Sequence, residues 1–428
     1  MSNTDSDLLP VAGNGLLHRR LFLKTGLAAG ASLLAAGIGH AAEESPGREG
    51  PGREPWMRMP GAGMSPAGAP SEHERSLERA PIGSQPGTAG TGVSRTPLAH
   101  LDGIITPSRL HFERHHAGIP DIDPDRHRLY LHGLVERPLS FDVEALSRYP
   151  HVSRIQFLEC SGNSAALTTP QPVAETCAAI HGLVSASEWG GVPLAVLLEE
   201  AGVKPEGRWL VADGADAAVM ARSIPMSKVM DDAIVALYQN GERLRPANGY
   251  PMRLFLPGWE GNASVKWLRS LKVTDQPAMA RDETAKYSDL RDDGVAELFT
   301  FPMGVKSVIT SPSPGLTLQG PGIYQISGIA WSGQGRIRRV EVSADGGVTW
   351  AEAALDEHVL PKCLTRFRTA WRWNGGSAVL MSRAEDETGA VQPTRAAALH
   401  GRKNAFYHFN GIQAWRVDET GASSNVYA

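Results

Sequence analysis

An α+β domain followed by an all-β sandwich is the architecture this sequence predicts, on three observations. From 98 to 300, candidate strands and helices alternate without regular βαβ spacing. From 301 onward, short strands recur around an Asp345-Gly346-Gly347 turn. A half-apolar strand pattern, Arg154 to Glu159, runs into a single cysteine, Cys160, on a Ser161-Gly162-Asn163 turn. At 428 residues the chain has room for two domains. Its 42% hydrophobic and 21% charged residues are those of an ordinary soluble globular protein. A net charge of −4 argues against general nucleic-acid binding. Three cysteines, Cys160, Cys177 and Cys363, cannot all pair, which argues against a disulfide scaffold, and without a CxxCH run the chain carries no covalent c-type haem.

The elements follow in order. His18-Arg19-Arg20-Leu21-Phe22-Leu23-Lys24 leads into an Ala/Gly/Leu-rich run from Thr25 to Gly39, with small residues at Ala41-Ala42. The run is too short for a comfortable membrane span and resembles a twin-arginine export signal over 1–42. The expected location is therefore the periplasm, with no membrane span after signal removal. Residues 46–70 hold six Pro and six Gly, so 43–97 is expected to be a flexible segment. Regular patterning starts near Leu98. A strand is expected over 127–133 and a short helix over 141–146. A helix over 192–201 is closed by Gly202, and strands follow at 208–212 and 252–256. Past 301, strands are expected at 324–331 and 366–373, with a hairpin through 340–350. Such short strands suggest a sandwich. The domain ranges are thus 98–300 and 301–428.

Two features bear on chemistry. A lone thiol on a rigid strand-end turn can be approached closely and suits a metal–thiolate bond; a free cysteine can equally be buried and structural. His111, His115 and His116, with Arg114, form a dense cationic cluster. The HxxxHH spacing also matches part of a zinc site, although no third or fourth ligand is obvious.

Taken together, several segments resemble the sulfite oxidase family of molybdenum enzymes over about residues 98–428. These are Phe157 to Asn163, Ser187 to Val192, Ser223-Ile224-Pro225, Arg245 to Pro257-Gly258, Ser264 to Leu268, and the hairpin Asp345 to Trp350. The opening Leu98 to Pro107 and Leu110 to His116 look closest to the family's SoxC-type branch, the molybdenum subunits of sulfane dehydrogenases. The resemblance implies a molybdopterin domain with an immunoglobulin-like dimerisation domain. Cys160 would be the metal ligand, its soft thiolate suiting molybdenum. The cofactor contacts would be His115, His116, Cys160, Asn163, Asp213, Asn248, Arg253, Ser264, Val265 and Lys266. Tyr287, Arg114, Trp189 and Arg416 would serve the substrate pocket. Where animal enzymes have a histidine, this chain has Asn248.

The implied reaction is oxygen-atom transfer to sulfur. A separate SoxD-like c-type cytochrome would accept the electrons, a sulfur carrier protein would present the substrate, and the assembly would be a homodimer or heterotetramer. Ser164, Ala165 and Ala263 stand where sulfite-oxidising relatives place oxyanion-binding arginines. That shifts the expectation from free sulfite to carrier-bound sulfane. The alternatives are a free-sulfite:cytochrome c dehydrogenase, a methionine-sulfoxide reductase, or a non-catalytic secreted binding protein.

Overall fold

The computed structural model describes residues 8–19, 54–74, 77–82, 89–404 and 406–428. Arg20 and the apolar run after it lie outside the described residues, as does much of 43–97. Among the described residues no helix is long and apolar enough to cross a membrane.

Two five-stranded sheets build the first domain. One runs Ala221–Pro225, Trp209–Gly214, Leu268–Thr274, Leu129–Gly133, Leu139–Phe141, with Leu268–Thr274 and Leu129–Gly133 parallel. The other runs Glu242–Arg243, Ile234–Gln239, Val184–Pro193, Val152–Glu159, with Arg253–Phe255 also paired to Ile234–Gln239. Between them sits a core of Leu, Val and Ile side chains, including Leu129, Leu197, Leu210, Val235 and Leu271. The second domain is a sandwich. One sheet is centred on Lys306–Ser311, Gly322–Trp331 and Thr365–Trp373; the other on Ile337–Ser343, Ala378–Asp386 and Ala414–Val417. Tryptophans and phenylalanines, among them Trp331, Trp371 and Phe367, fill the space between, where aromatic area burial carries much of the stabilisation.

Several expectations shift. The helix expected over 192–201 is confined to Leu194–Ala201. Val192 ends the strand Val184–Pro193, because Gly191 packs against Val235 O so tightly that a Cβ would lie 2.1 Å away. Gly202 closes the helix at φ +71° as expected. The helix expected over 141–146 begins only at Val143, capped by Asp142, since Phe141 belongs to a strand. The hairpin around Asp345-Gly346-Gly347 forms, between Ile337–Ser343 and Ala351–Glu352, but with a loop wider than the three turn residues. Strand pairing resumes only at Val342↔Ala351, and Asp345 organises the wide loop by accepting from Thr349 N and Oγ1. Regular structure also starts before Leu98. Ala80–Ile82 pairs with Gly92–Arg95, which pairs with Glu113–His115 beside the basic cluster, so part of 43–97 belongs to the first domain's frame. Residues 54–74 are almost wholly exposed, with two single-turn helices.

A strand pairing joins the domains. Arg402–Asn404, from the second half, pairs with Ser288–Arg291 from the first, and Arg402 holds Asp289 at 2.6 Å.

Candidate active site

Cys160 stands at the end of Val152–Glu159, fixed by its N–H donating to Leu183 O at 3.0 Å and its carbonyl accepting from Asn163 N at 2.8 Å. Burial pushes its thiol up from the ordinary range. It looks into a cavity of about 690 Å³, counting the open mouth. Arg114, His115, His116, Asn248, Arg253, Ser264, Lys266 and Tyr287 also line this cavity. Segments far apart in the sequence thus meet at one place.

The electrostatics are those of an anion site. Arg253 is buried, and its guanidinium donates only to carbonyls: Asn248 O at 3.1 Å, Ser264 O at 2.7 Å and Leu254 O. With no carboxylate beside it, burial lowers its pKa to about 9. Lys266 Nζ donates to Arg114 O, Ala247 O and His115 Nδ1 at 2.8–3.1 Å. Burial, then Arg253, holds it well below a normal lysine. Desolvation first, then neighbouring cations, lowers His115 and His116 to about 3, so both rings are neutral at ordinary pH. His116 Nε2 shares a hydrogen bond with Tyr287 Oη at 3.0 Å. The Tyr287 ring lies over Arg222, 4.9 Å from its guanidinium carbon, and burial pushes the phenol well above 10. Two neutral groups therefore keep a proton at this spot across physiological pH.

Five expected residues fall elsewhere. Trp189 is fully buried one layer behind the wall, stacked on Phe255 at 4.8 Å and donating to Gln156 O. Arg416 points to solvent from Ala414–Val417, away from the cavity. Asn163 braces the cysteine turn: Nδ2 donates to Glu159 and Oδ1 accepts from Leu183 N. The Val265 side chain belongs to the apolar core. Asp213 faces Ser270 and His132 instead of the cavity. Asp216, three residues on and past the strand end at Gly214, takes the wall position. The two aspartates share the same sequence stretch, and only the strand's alternation and end could have separated them. Ser264 lines the cavity, but its hydroxyl is used to accept from Leu256 N. His111 is buried against Phe112 and Trp189 at the inner wall of the cavity, and no group of three or more metal-binding side chains occurs among the described residues. Cys177 and Cys363 are buried, free and pushed up to about 12 by desolvation.

The residues without family arginines are placed clearly. Ala263 is in the core. Ser164, at φ +69°, turns inward, where its hydroxyl meets Lys306 Nζ at 2.6 Å and His181 Nδ1 at 2.7 Å. The ring of Phe406, from the second domain, lies over the turn, 3.2 Å from where a Cβ on Gly162 would be.

Comparison with known proteins agrees with this geometry. The oxidoreductase molybdopterin binding domain matches residues 116–281 and the Mo-co oxidoreductase dimerisation domain matches 298–414. Sulfite oxidase of Gallus gallus is 32% identical over 326 residues, covering 69% of this chain and 70% of that protein. The chain belongs to the sulfite oxidase family. Nitrate reductase of Solanum lycopersicum is also 32% identical, over 65% of this chain but only 34% of its own length. Among solved structures, the sulfane dehydrogenase SoxCD from Paracoccus pantotrophus aligns at TM-score 0.86 with 45% identity, covering 88% of this chain and 98% of that chain. As a sulfite oxidase family member, the chain is a molybdopterin-dependent oxidoreductase of sulfur compounds.

The residues present fit the cofactor. Asp216 Oδ1 is buried at the cavity wall with no hydrogen-bond partner, an acceptor suited to the N–H groups of a pterin. Arg253 and Lys266 supply charge for a phosphate. Cys160 supplies the soft thiolate. When bound, the cofactor supplies two-electron oxygen-atom exchange between water and sulfur. The chain's share is to bind it, exclude water behind Leu158 and Trp267, and hold a proton at Tyr287 and His116.

Proposed function

We propose that this enzyme is a periplasmic sulfane dehydrogenase, oxidising sulfane sulfur presented on a carrier protein during thiosulfate oxidation and passing electrons to a separate c-type cytochrome. The observation that carries this reading is the cation-poor approach to Cys160. Ser164 and Ala263 are turned into the interior and Ala165 has no charge, which leaves Arg114 as the cavity-wall cation that acts on the Cys160 thiol. A small, doubly charged oxyanion needs charge-assisted bonds there. A sulfur chain delivered on a carrier brings part of its binding energy from elsewhere. Phe406 presents an apolar edge at the mouth, which fits a carrier's arm better than a hydrated ion. The likeness to SoxCD over nearly its whole length supports the same reading.

Each oxygen added to sulfur comes from one water, with two protons and two electrons leaving. The electrons need an external acceptor because the chain has no haem motif. We further propose that the sandwich mediates homodimer or heterotetramer assembly with a SoxD-like cytochrome. Free-sulfite dehydrogenation is the second reading, favoured by Arg114 on the wall and by the identity to sulfite oxidase. Reduction of cytochrome c should be measured side by side with sulfite, thiosulfate and a carrier-bound persulfide. Turnover on the persulfide at least ~10-fold above sulfite is expected, roughly the worth of one charge-assisted contact. Efficient turnover of sulfite alone would reverse the assignment.

A further inference from the structure

Residues 8–19 are fitted to the second domain. Pro10–Ala12 and Leu16–Leu17 form a short hairpin, and Leu16 pairs with Trp371, extending the sheet at its edge. An extended segment added to a sheet edge gains main-chain bonds and pockets for alternate side chains. Both occur here. Leu16 and Leu17 are fully buried. Trp371 Nε1 donates to Asn14 O at 2.8 Å, Asn14 Nδ2 donates to Ala344 O at 2.8 Å, and Gly13 N donates to Thr349 Oγ1 at 2.7 Å. The fit needs glycine at two positions. A Cβ on Gly13 would lie 2.1 Å from Asp345 Oδ2, and one on Gly15 would lie 2.1 Å from Arg372 O, where φ is also +88°. The segment ends with Arg19 in an ion pair with Glu352.

We infer that the second domain carries a binding surface for the leading part of the chain's own export signal, and that docking there holds Arg19 against Glu352 in the folded precursor until an acidic export receptor displaces it. The inference rests on the export-signal reading. The chemistry of competition is direct, because a receptor that reads paired guanidiniums must offer carboxylates, the same group Glu352 offers. The docking surface is made of residues 344–352 and 371–373, so it exists only once the sandwich has folded. The arginine signal is therefore gated by the state of the domain it precedes. The wide Asp345 loop supplies the partners of Gly13 and Asn14.

The full-length precursor tests this. Trypsin cleavage at Arg19 in the purified precursor and pulse-chase export in a host with twin-arginine export should be measured for wild type, G13V/G15V, E352Q and R19K/R20K. G13V/G15V should raise cleavage by about tenfold or more, since cleavage follows the undocked population. It should also raise the export rate several-fold, with E352Q about twofold. Enzyme released after signal removal should be the same in both. Equal cleavage of wild type and G13V/G15V would overturn the docking. Faster cleavage with unchanged export would overturn the gating. If R19K/R20K exports like wild type, the export-signal reading itself fails, and the cleavage arm still decides the docking.

Discussion

Two sets of buried cations lie within one site's reach, and they are treated in opposite ways. At the cavity wall, Arg253 and Lys266 hydrogen-bond only to carbonyls and one imidazole, and both are pushed toward deprotonation. At or beside the domain seam, three other cations have carboxylates. Arg222 bonds Glu260 and Glu283 at 2.9 Å, Lys306 bonds Glu159 at 3.2 Å, and Arg402 bonds Asp289. The seam carboxylates have further donors: Glu159 accepts from Trp331 Nε1 at 2.7 Å and from Asn163. A buried charge is costly unless compensated. The seam carries its compensation within the chain, whereas the wall is left short of it. The difference separates architecture from binding: the wall cations await an anion that is not protein.

That contrast can be broken or sharpened by substitution. The largest effect belongs to the ligand itself. Cys160→Ser should leave folded protein without molybdenum, where wild type carries about one metal per chain by elemental analysis, as a thiolate-dependent site requires. Next, Glu159→Gln or Lys306→Met alone should cost about 3–5 kcal/mol by urea unfolding because each strands a buried partner. The double substitution should recover much of the loss; full additivity would show that the two do not act as a pair. On the wall the signature reverses. Arg253→Gln and Asp216→Asn should lower pterin affinity by about 10–100-fold, in the range of contacts that support a bound group. The apoprotein's melting temperature should hold or rise.

A pH test targets the seam. Burial pushes Glu260 up, but the Arg222 guanidinium outweighs it, aided by His408 and Asn262, and holds it at about 2. A carboxyl held below its ordinary value stabilises the fold above the unfolded pKa and loses that contribution as pH falls through the folded one. The stability that Glu260 contributes should therefore fade between about pH 4.5 and 2. Glu260→Gln should flatten acid unfolding in that window. The smallest effect is expected at Arg416. Its removal should change stability and turnover by no more than about 0.5 kcal/mol, as for an exposed residue remote from the site.

The sequence made the site legible through linear motifs and lost it where side-chain direction decides. Cys160, Arg253 and Lys266 sit in runs whose residue types declare their chemistry, and they converge as expected. Val265 lies between two wall residues and points the other way because strand-like backbone alternates its faces. Asp213 was displaced by Asp216 for the same reason. The seam was illegible altogether, since Glu159 and Lys306 are 147 positions apart and pair only through the tertiary fold. Phe406 and His408 likewise come to the cysteine turn from the far end of the chain, with His408 N donating to Ser161 O at 2.8 Å. In the sandwich, strand positions were readable from alternation, while the Asp345 loop was not, because its shape answers to Thr349 and not to the glycines alone.

The pairing of Arg402–Asn404 with Ser288–Arg291 has a consequence for the order of events during synthesis. The strand that follows Tyr287 is clamped by residues synthesised well after it. Until those residues have emerged, the tyrosine side of the cavity lacks its backing, and the cysteine turn lacks the Phe406 ring. The pocket reaches its final shape only once residues 402–406 are in place, and a chain truncated before 400 would present an open, unfinished wall.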